Sequence, residues 1–488
     1  MSPLYTAIDH LAALPAILLV VFGCAAMLME VLIRRPRERF WIVAITLTGL
    51  VFTGWALWKQ QRYLTLNGLP RFTAFHGALT IDGFALFFNA IFLITSFLVA
   101  LISYRYLEIE GEHRGEYYGL LLLAQAGMYF LATGTDLITL FLGTELMAIC
   151  FYVMVGFLRR DKRSNEAALK YFLLGGFSSA FLVYGFSLLY GIAGSTLLTD
   201  VAHAVAARGP SDPIVFLALA TTIVGLLFKI SAVPFHMWTP DAYEGAPTSV
   251  TAYLSVGSKA ASLAFLLRIL LGPLAPARSL WEPLIVAVSV ASIVIGSLAA
   301  LSQNNLKRLI AYSAVSHAGY ILLGIVAGND TGYAGIAVYI LVYTFMNLGA
   351  LLVVVAMRRD GILGEDMDQI AGLAQRSPAF AIFMAIFLLS LAGIPPTAGF
   401  LGKYYIFLSL IETAHYALAI LAALYVAVSL YFYFRIVQSM FMHKMSGPEP
   451  VASSAGMRVA LGITGALTLG IGIFPEPFLQ FARTSLLR

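Results

Sequence analysis

Runs of about twenty apolar residues recur from one end of this chain to the other, and a bilayer crossing needs a run of that length. With no water in hydrocarbon to satisfy N–H and C=O groups, each run must close its hydrogen bonds internally, as an α-helix does. Composition agrees. Of the 488 residues 60% are hydrophobic and 11% charged, whereas soluble domains hold roughly 45–50% apolar and about 25% charged residues. The chain therefore reads as an all-α integral membrane protein. Its first apolar run is long enough to span and no Ala-x-Ala site follows a short one, so no cleavable signal peptide is expected. Cys24 and Cys150 both lie in apolar runs and offer neither a disulfide framework nor a metal set. The net charge of +5 belongs to loops between runs, and no nucleic-acid partner is expected.

The runs fall near 11–32, 40–58, 80–104, 117–133, 136–158, 167–193, 213–236, 247–271, 281–301, 308–327, 333–357, 378–410, 414–442 and 457–475, about 14 transmembrane helices. Basic residues between them set the orientation. With the N-terminus outward, inner loops hold 17 Lys and Arg, including Arg34, Arg35, Arg37, Lys307 and Lys444; the outer side holds 7, including Arg488. Both termini are thus expected outside. Arg268 and Arg435, toward the ends of runs, are expected to snorkel to the headgroups.

Two runs should be broken. In Phe228-Lys229-Ile230-Ser231-Ala232-Val233-Pro234-Phe235-His236-Met237-Trp238-Thr239-Pro240-Asp241, Pro234 removes a backbone donor and obstructs the preceding turn just past a lysine. The 378–410 run carries Gly393-Ile394-Pro395-Pro396-Thr397-Ala398-Gly399 in its middle. Pro234 and Pro395 lie 161 residues apart, and the fourth and ninth spans start at nearly the same offset. Spans 4–8 and 9–13 can therefore form two five-helix repeats, each with a broken helix. Five is odd, so the second copy must enter from the opposite side, and matched interruptions in inverted halves point to a transport site. The corresponding division is 1–110 for three leading helices, 111–275 and 276–445 for the repeats, and 446–488 for a last helix.

Ionisable residues at membrane depth are costly, so each asks for a role or a partner. Glu145 lies near the middle of the fifth span and can act as a titratable partner of Lys229 or as half of a fixed ion pair. Lys259 is mid-span among Gly257, Ser258, Ala260 and Ala261, small residues that leave room for water. Lys403 follows the second break and mirrors Lys229 across the repeat. Lys170 is only four residues into its span, so snorkelling competes with function there. His236, beyond Pro234, and His317, within the tenth span, can relay protons or simply pack. Glu30, Asp82, Asp136 and Glu412 lie near span ends and read as interfacial. There is no Gly-x-Gly-x-x-Gly before a helix, no Walker sequence and no cysteine cluster, hence no visible home for NADH, FMN, an iron–sulfur cluster or ATP.

The run Lys229–Pro234–His236–Trp238–Thr239–Pro240–Asp241, with Gly245-Ala246-Pro247-Thr248 and Lys259 after it, resembles the antiporter-like subunits of respiratory complex I. Leu142-Gly143-Thr144-Glu145-Leu146 and Lys403 after Gly-Ile-Pro-Pro-Thr-Ala-Gly-Phe match the same family, and the likeness covers essentially the whole chain. One sibling carries a long lateral helix beyond the last span and another a glutamate at the place of Lys403; neither feature stands here. Three spans precede the repeats, as in bacterial and plastid versions.

The resemblance implies a proton-translocating part of an NADH:quinone oxidoreductase in a bacterial inner membrane. Glu145, Lys229 and Lys170 would serve entry from the cytoplasm, His236 would pass charge to Lys259, and Lys403 would lead outward. Quinone reduction elsewhere would drive the movement. NADH, FMN, iron–sulfur clusters and quinone would belong to partner subunits, with no cofactor in this chain, and its neighbours would be sibling antiporter-like subunits and lipid. The alternatives are a subunit of a multi-subunit cation/proton antiporter and a passive scaffold. Four deep lysines have no use in a scaffold.

Overall fold

The computed structural model describes residues 5–33, 39–359, 364–443, 451 and 453–485. Arg34, Arg35, Arg37, Lys444 and Arg488 of the charge count lie outside these residues. From the N-terminus come α1 (Ala7–Leu32) and α2 (Phe40–Asn67), a hairpin of β1 (Arg71–Ala74) and β2 (Leu79–Asp82), then α3 (Gly83–Ile109), α4 (Gly115–Thr133), α5 (Leu137–Val155) and α6 (Lys162–Ala193). A short α7 (Leu198–Arg208) precedes α8 (Pro213–Lys229) and α9 (Trp238–Gly245). Next, α10 (Thr248–Tyr253) runs through a π-helical turn at Leu254–Ser258 into α11 (Lys259–Leu271). They are followed by α12 (Arg278–Leu301), α13 (Leu306–Ala327) and α14 (Asp330–Met357), then by the single turns α15 (Met367–Ile370) and α16 (Leu373–Arg376). The chain ends in α17 (Pro378–Ala392), α18 (Ala398–Glu412), α19 (Tyr416–Met442), α20 (Ala455–Ile473) and α21 (Glu476–Thr484).

Eleven of these helices, counting 248–271 as one, are long and apolar enough to cross a membrane. The tyrosine-rich α4 and the two broken stretches, α8 with α9 and α17 with α18, fill the remaining apolar runs. The hairpin is a departure from an all-helix reading. It pairs Arg71 with Asp82 in antiparallel register and turns Phe72 and Ala74 onto Leu79, Leu86 and Tyr129.

Both breaks occur where the prolines stand. The α8 helix stops at Lys229, and Ser231 takes a left-handed φ of 65°. Backbone groups freed at a break inside a membrane need protein partners. Trp238 Nε1 donates to the Phe228 carbonyl at 3.0 Å, and the Val233 N–H donates to Ser292 Oγ at 2.9 Å. At the second break Gly393 is left-handed, and the Gly399 N–H donates to Ser390 Oγ at 3.0 Å. A Cβ on Gly399 would stand 1.8 Å from the Ser390 carbonyl oxygen, so only glycine lets α18 start this close to the end of α17.

Burial is graded across the bundle. The apolar window of α14 is entirely buried, and those of α13 and 248–271 are 94% buried, whereas that of α19 is 22% buried. An axis of α10–α11, α13 and α14 is thus screened from lipid by the other helices, and polar side chains on it need not face hydrocarbon.

Candidate functional site

The interior axis holds the titratable groups. Lys259 and Lys403 are 5% and 4% exposed, and Lys229 is 6% exposed. Side chains this enclosed cannot snorkel. Lys259 opens α11 directly after the π-turn, a local widening that recurs at functional sites. Its Nζ donates to the Ala314 carbonyl on α13 at 2.8 Å and lies 5.9 Å from the Tyr243 ring centre. His317 is three residues on from Ala314, hence on the same helical face. Lys259, Ala314, His317, Tyr343 and Thr344 line one cavity.

Both ring nitrogens of His317 are bonded to tyrosine hydroxyls. Nδ1 meets Tyr339 Oη at 2.6 Å and Nε2 meets Tyr433 Oη at 3.1 Å. Tyr433 also bonds Ser313. Lys403 sits beyond, its Nζ donating to the carbonyls of Leu391 (3.0 Å) and Ala392 (2.8 Å), with the ring centre of Tyr320 at 5.2 Å. Those carbonyls end α17, where the helix presents its negative pole to a cation. His317 stands within electrostatic reach of both Lys403 and Lys259.

Lys229 and Glu145 form a looser pair than the sequence suggests. Among the described residues no carboxylate oxygen comes within ion-pair distance of Lys229 Nζ; Glu145 acts on it through space. The reason is packing, since α6 lies against both α5 and α8. Its Ser179 Oγ donates to Glu145 Oε1 at 2.5 Å. Close by, Tyr152 Oη is buried without a partner and is accommodated by Gly175, where a Cβ would stand 2.0 Å from that hydroxyl.

The remaining sequence candidates separate. His236 is half-buried, its Nδ1 has no hydrogen-bond partner among the described residues, and its ring centre lies 6.5 Å from that of Tyr312. No contact joins it to Lys229 or Lys259 among the described residues. Lys170 lies in a surface network, paired with Glu166 at 2.8 Å and Asp241 at 3.0 Å. Arg308 binds Asp241 and Glu244 beside it. Lys170→Met is expected to change thermal stability by less than about 1 kcal/mol, as exposed pairs do. A melting curve of the assembled complex at low and high salt checks it.

Several charges behave differently from their positions in sequence. Arg268 does not snorkel: its side chain is 4% exposed, pairs with Asp82 at 3.1 Å and donates to the Ala132 carbonyl at 2.6 Å. Arg435 turns inward too, onto the carbonyls of Leu301 and Gln303. Asp82 and Asp136 cap α3 and α5. Lys307, counted among loop positives, is buried against Glu365 at 2.7 Å.

Sequence reasoning passed over the tyrosines. Tyr339 and Tyr343, four residues apart on one face of α14, were legible as polar groups on a buried face. Tyr243 Oη, Tyr343 Oη, Thr239 Oγ1 and Asn347 Oδ1 are buried with no protein partner. Buried polar atoms are paired with protein or ordered water in the great majority of cases. These four therefore mark places on α9 and α14 where water can bond.

Residues 134–430 match the family model described as NADH:quinone oxidoreductase/Mrp antiporter, TM. A protein of Solibacter usitatus named NADH-quinone oxidoreductase subunit N 2 is 64% identical over 489 residues, covering 100% of this chain and 99% of the relative. A chain in the structure of respiratory complex I from Thermus thermophilus with bound aureothin superposes with a TM-score of 0.79 at 30% identity, covering 96% of this chain and 99% of that one. A chain of the Mrp complex from Dietzia sp. DQ12-45-1b superposes with a TM-score of 0.85, covering 98% of this chain and 97% of that one; at 20% identity the likeness is one of fold.

Proposed function

Since this chain belongs to the family of NADH:quinone oxidoreductase and Mrp antiporter membrane subunits, we propose that its buried row of Glu145, Lys229, Lys259, His317 and Lys403 carries protons across the bilayer. The chain is a proton-translocating membrane-arm subunit of NADH:quinone oxidoreductase. The observation that carries the path is the placement of His317 within reach of two enclosed lysines, with both of its nitrogens hydrogen-bonded.

A neutral imidazole donates from one nitrogen and accepts at the other. A proton arriving from the Lys259 side binds the accepting nitrogen, and the proton on the opposite nitrogen leaves toward Lys403. The ring then holds the other tautomer, and a turn of the imidazole, with the tyrosine hydroxyls, each both donor and acceptor, re-forming their bonds to it, resets it without returning the proton. At the entry end Glu145 and Lys229 hold opposite charges near one another without direct contact. A change in the field from a neighbouring subunit shifts the proton between such groups more readily than within a tight pair, which favours its charged state strongly. His236 and Lys170 stand apart from the interior row. Lys170 stays in its surface ion pairs and carries no proton of the row, and His236 joins Lys229 to Lys259 through water.

Inverted repeats at 111–275 and 276–445, preceded by 1–110 and followed by 446–488, fit the two breaks, and the fourteen apolar runs then cross the bacterial inner membrane with both termini outside. NADH, FMN, iron–sulfur clusters and quinone are placed in partner subunits, which include the sibling antiporter-like chains. The antiporter reading ranks second because the 64% identical relative carries an oxidoreductase name, whereas the Mrp likeness is one of fold.

Tyr433→Phe removes one partner each from His317 and Ser313 and is expected to slow NADH-driven proton uptake by roughly tenfold, the equivalent of about 1.4 kcal/mol for a lost buried hydrogen bond. Uptake by proteoliposomes, followed with a pH-sensitive dye against wild type, checks it. Equal rates would remove Tyr433 from the path.

A further inference from the structure

We propose that a cavity on the hairpin side of the membrane binds the phosphate headgroup of an anionic phospholipid. The cavity measures about 440 Å³ and is lined by Arg71, Arg268 and Arg278, with Leu198, Leu271 and Trp281 among its other walls. Among the described residues no carboxylate lines it. It lies outside the interior row and depends on none of its residues.

The three guanidinium groups are not equivalent. Arg268 spends Nε on the Ala132 carbonyl and Nη2 on Asp82, and Arg278 spends Nε on Glu282 and Nη2 on the Val326 carbonyl. In both residues Nη1 makes no hydrogen bond among the described residues, so each is held rigidly with a donor to spare. Arg71 is exposed on β1 and makes no ion pair among the described residues, so its guanidinium is open to a ligand. Arginine's planar fork of donors suits a phosphate, and two of the three forks are already fixed in place.

Depth selects a lipid. Thr135 in the link from α4 to α5, Gly272 after α11 and Arg278 at the start of α12 all line the cavity, which places it at helix ends, where headgroups sit. The amphipathic α7 contributes Leu198, and Trp281 supplies the aromatic surface typical of the interface. Leucine walls beside guanidinium groups match glycerol and the first acyl carbons better than a free, fully hydrated phosphate. Basic pockets between membrane helices recognise anionic headgroups in this way.

The test uses the assembled oxidoreductase complex, delipidated in detergent and re-equilibrated with phosphatidylglycerol or phosphatidylcholine, the retained lipid being counted by mass spectrometry after extraction. Wild type is expected to retain phosphatidylglycerol preferentially, and Arg71→Gln to weaken that retention about fivefold, as loss of one surface arginine near an anionic lipid does. Ala202→Trp fills the cavity without altering charge and should abolish the preference even if the Arg71 variant assembles poorly. Arg62→Gln, at the exposed end of α2 beside Trp58, should leave it unchanged. Equal retention in wild type and the two cavity variants would overturn the proposal, as would an equal loss in Arg62→Gln. Full displacement of phosphatidylglycerol by millimolar inorganic phosphate would reassign the site to the free anion.

Discussion

Lys229→Ala is expected to lower NADH-driven proton uptake by about a hundredfold or more, the lower range for removing a positioned proton-transfer group. The side chain is 6% exposed and ends α8 at the first break, where Glu145 acts on it through space. Its loss should read as chemistry because the break is held by other groups. Trp238 Nε1 on the Phe228 carbonyl and Ser292 Oγ on the Val233 N–H use nothing from the lysine side chain. The complex should therefore assemble with the variant chain in normal amount. Lys229→Arg keeps the charge but cannot give up its proton, and it should be nearly as defective. Uptake at the wild-type rate in reassembled complex would remove Lys229 from the path.

The largest effect on stability is expected at Lys307, whose side chain is 1% exposed. Its Nζ donates to Glu365 Oε1 and to the Ala246 carbonyl, each at 2.7 Å, while Thr248 Oγ1 donates to the same carboxylate at 3.2 Å. The pair joins α13 to the link after α9 and to the segment before α15, so it ties the two halves of the chain together. Lys307→Ala leaves an enclosed carboxylate without its closest cation, and Arg163, at 3.3 Å and 43% exposed, compensates it poorly. Breaking a buried pair in this way costs about 3–5 kcal/mol, whereas replacing both partners by apolar residues costs far less. The single variant should lower the melting midpoint and the yield of assembled complex, and Lys307→Met with Glu365→Leu should recover most of both. An unchanged midpoint in Lys307→Ala would show that the pair carries little of the fold.

What the sequence reveals divides along physical lines. Apolar length and proline position are local properties, and both breaks fall where Pro234 and Pro395 put them. The depth of Lys229, Lys259 and Lys403 was legible for the same reason, since each lies mid-run or beside a break. Partnerships are not local. Glu365 binds Lys307 from 58 residues away and Asp82 binds Arg268 from 186 residues away. Nothing in a single chain marks such pairs, so in the sequence both cations read as surface or snorkelling residues. His317 could not be separated from a packing histidine until Tyr339 and Tyr433 were seen on its two nitrogens. Whether Glu145 and Lys229 touch is not legible in one dimension either, because the hydroxyl that Glu145 accepts from, Ser179, belongs to α6, 34 residues on.

The most direct test is the number of protons taken up per NADH oxidised by proteoliposomes carrying Lys259→Met, beside wild type and Lys170→Met. Lys259 stands between the entry pair and His317, so its neutralisation is expected to lower the ratio, while the surface variant keeps it. A wild-type ratio in Lys259→Met, at equal complex content, would contradict passage of protons along the interior row.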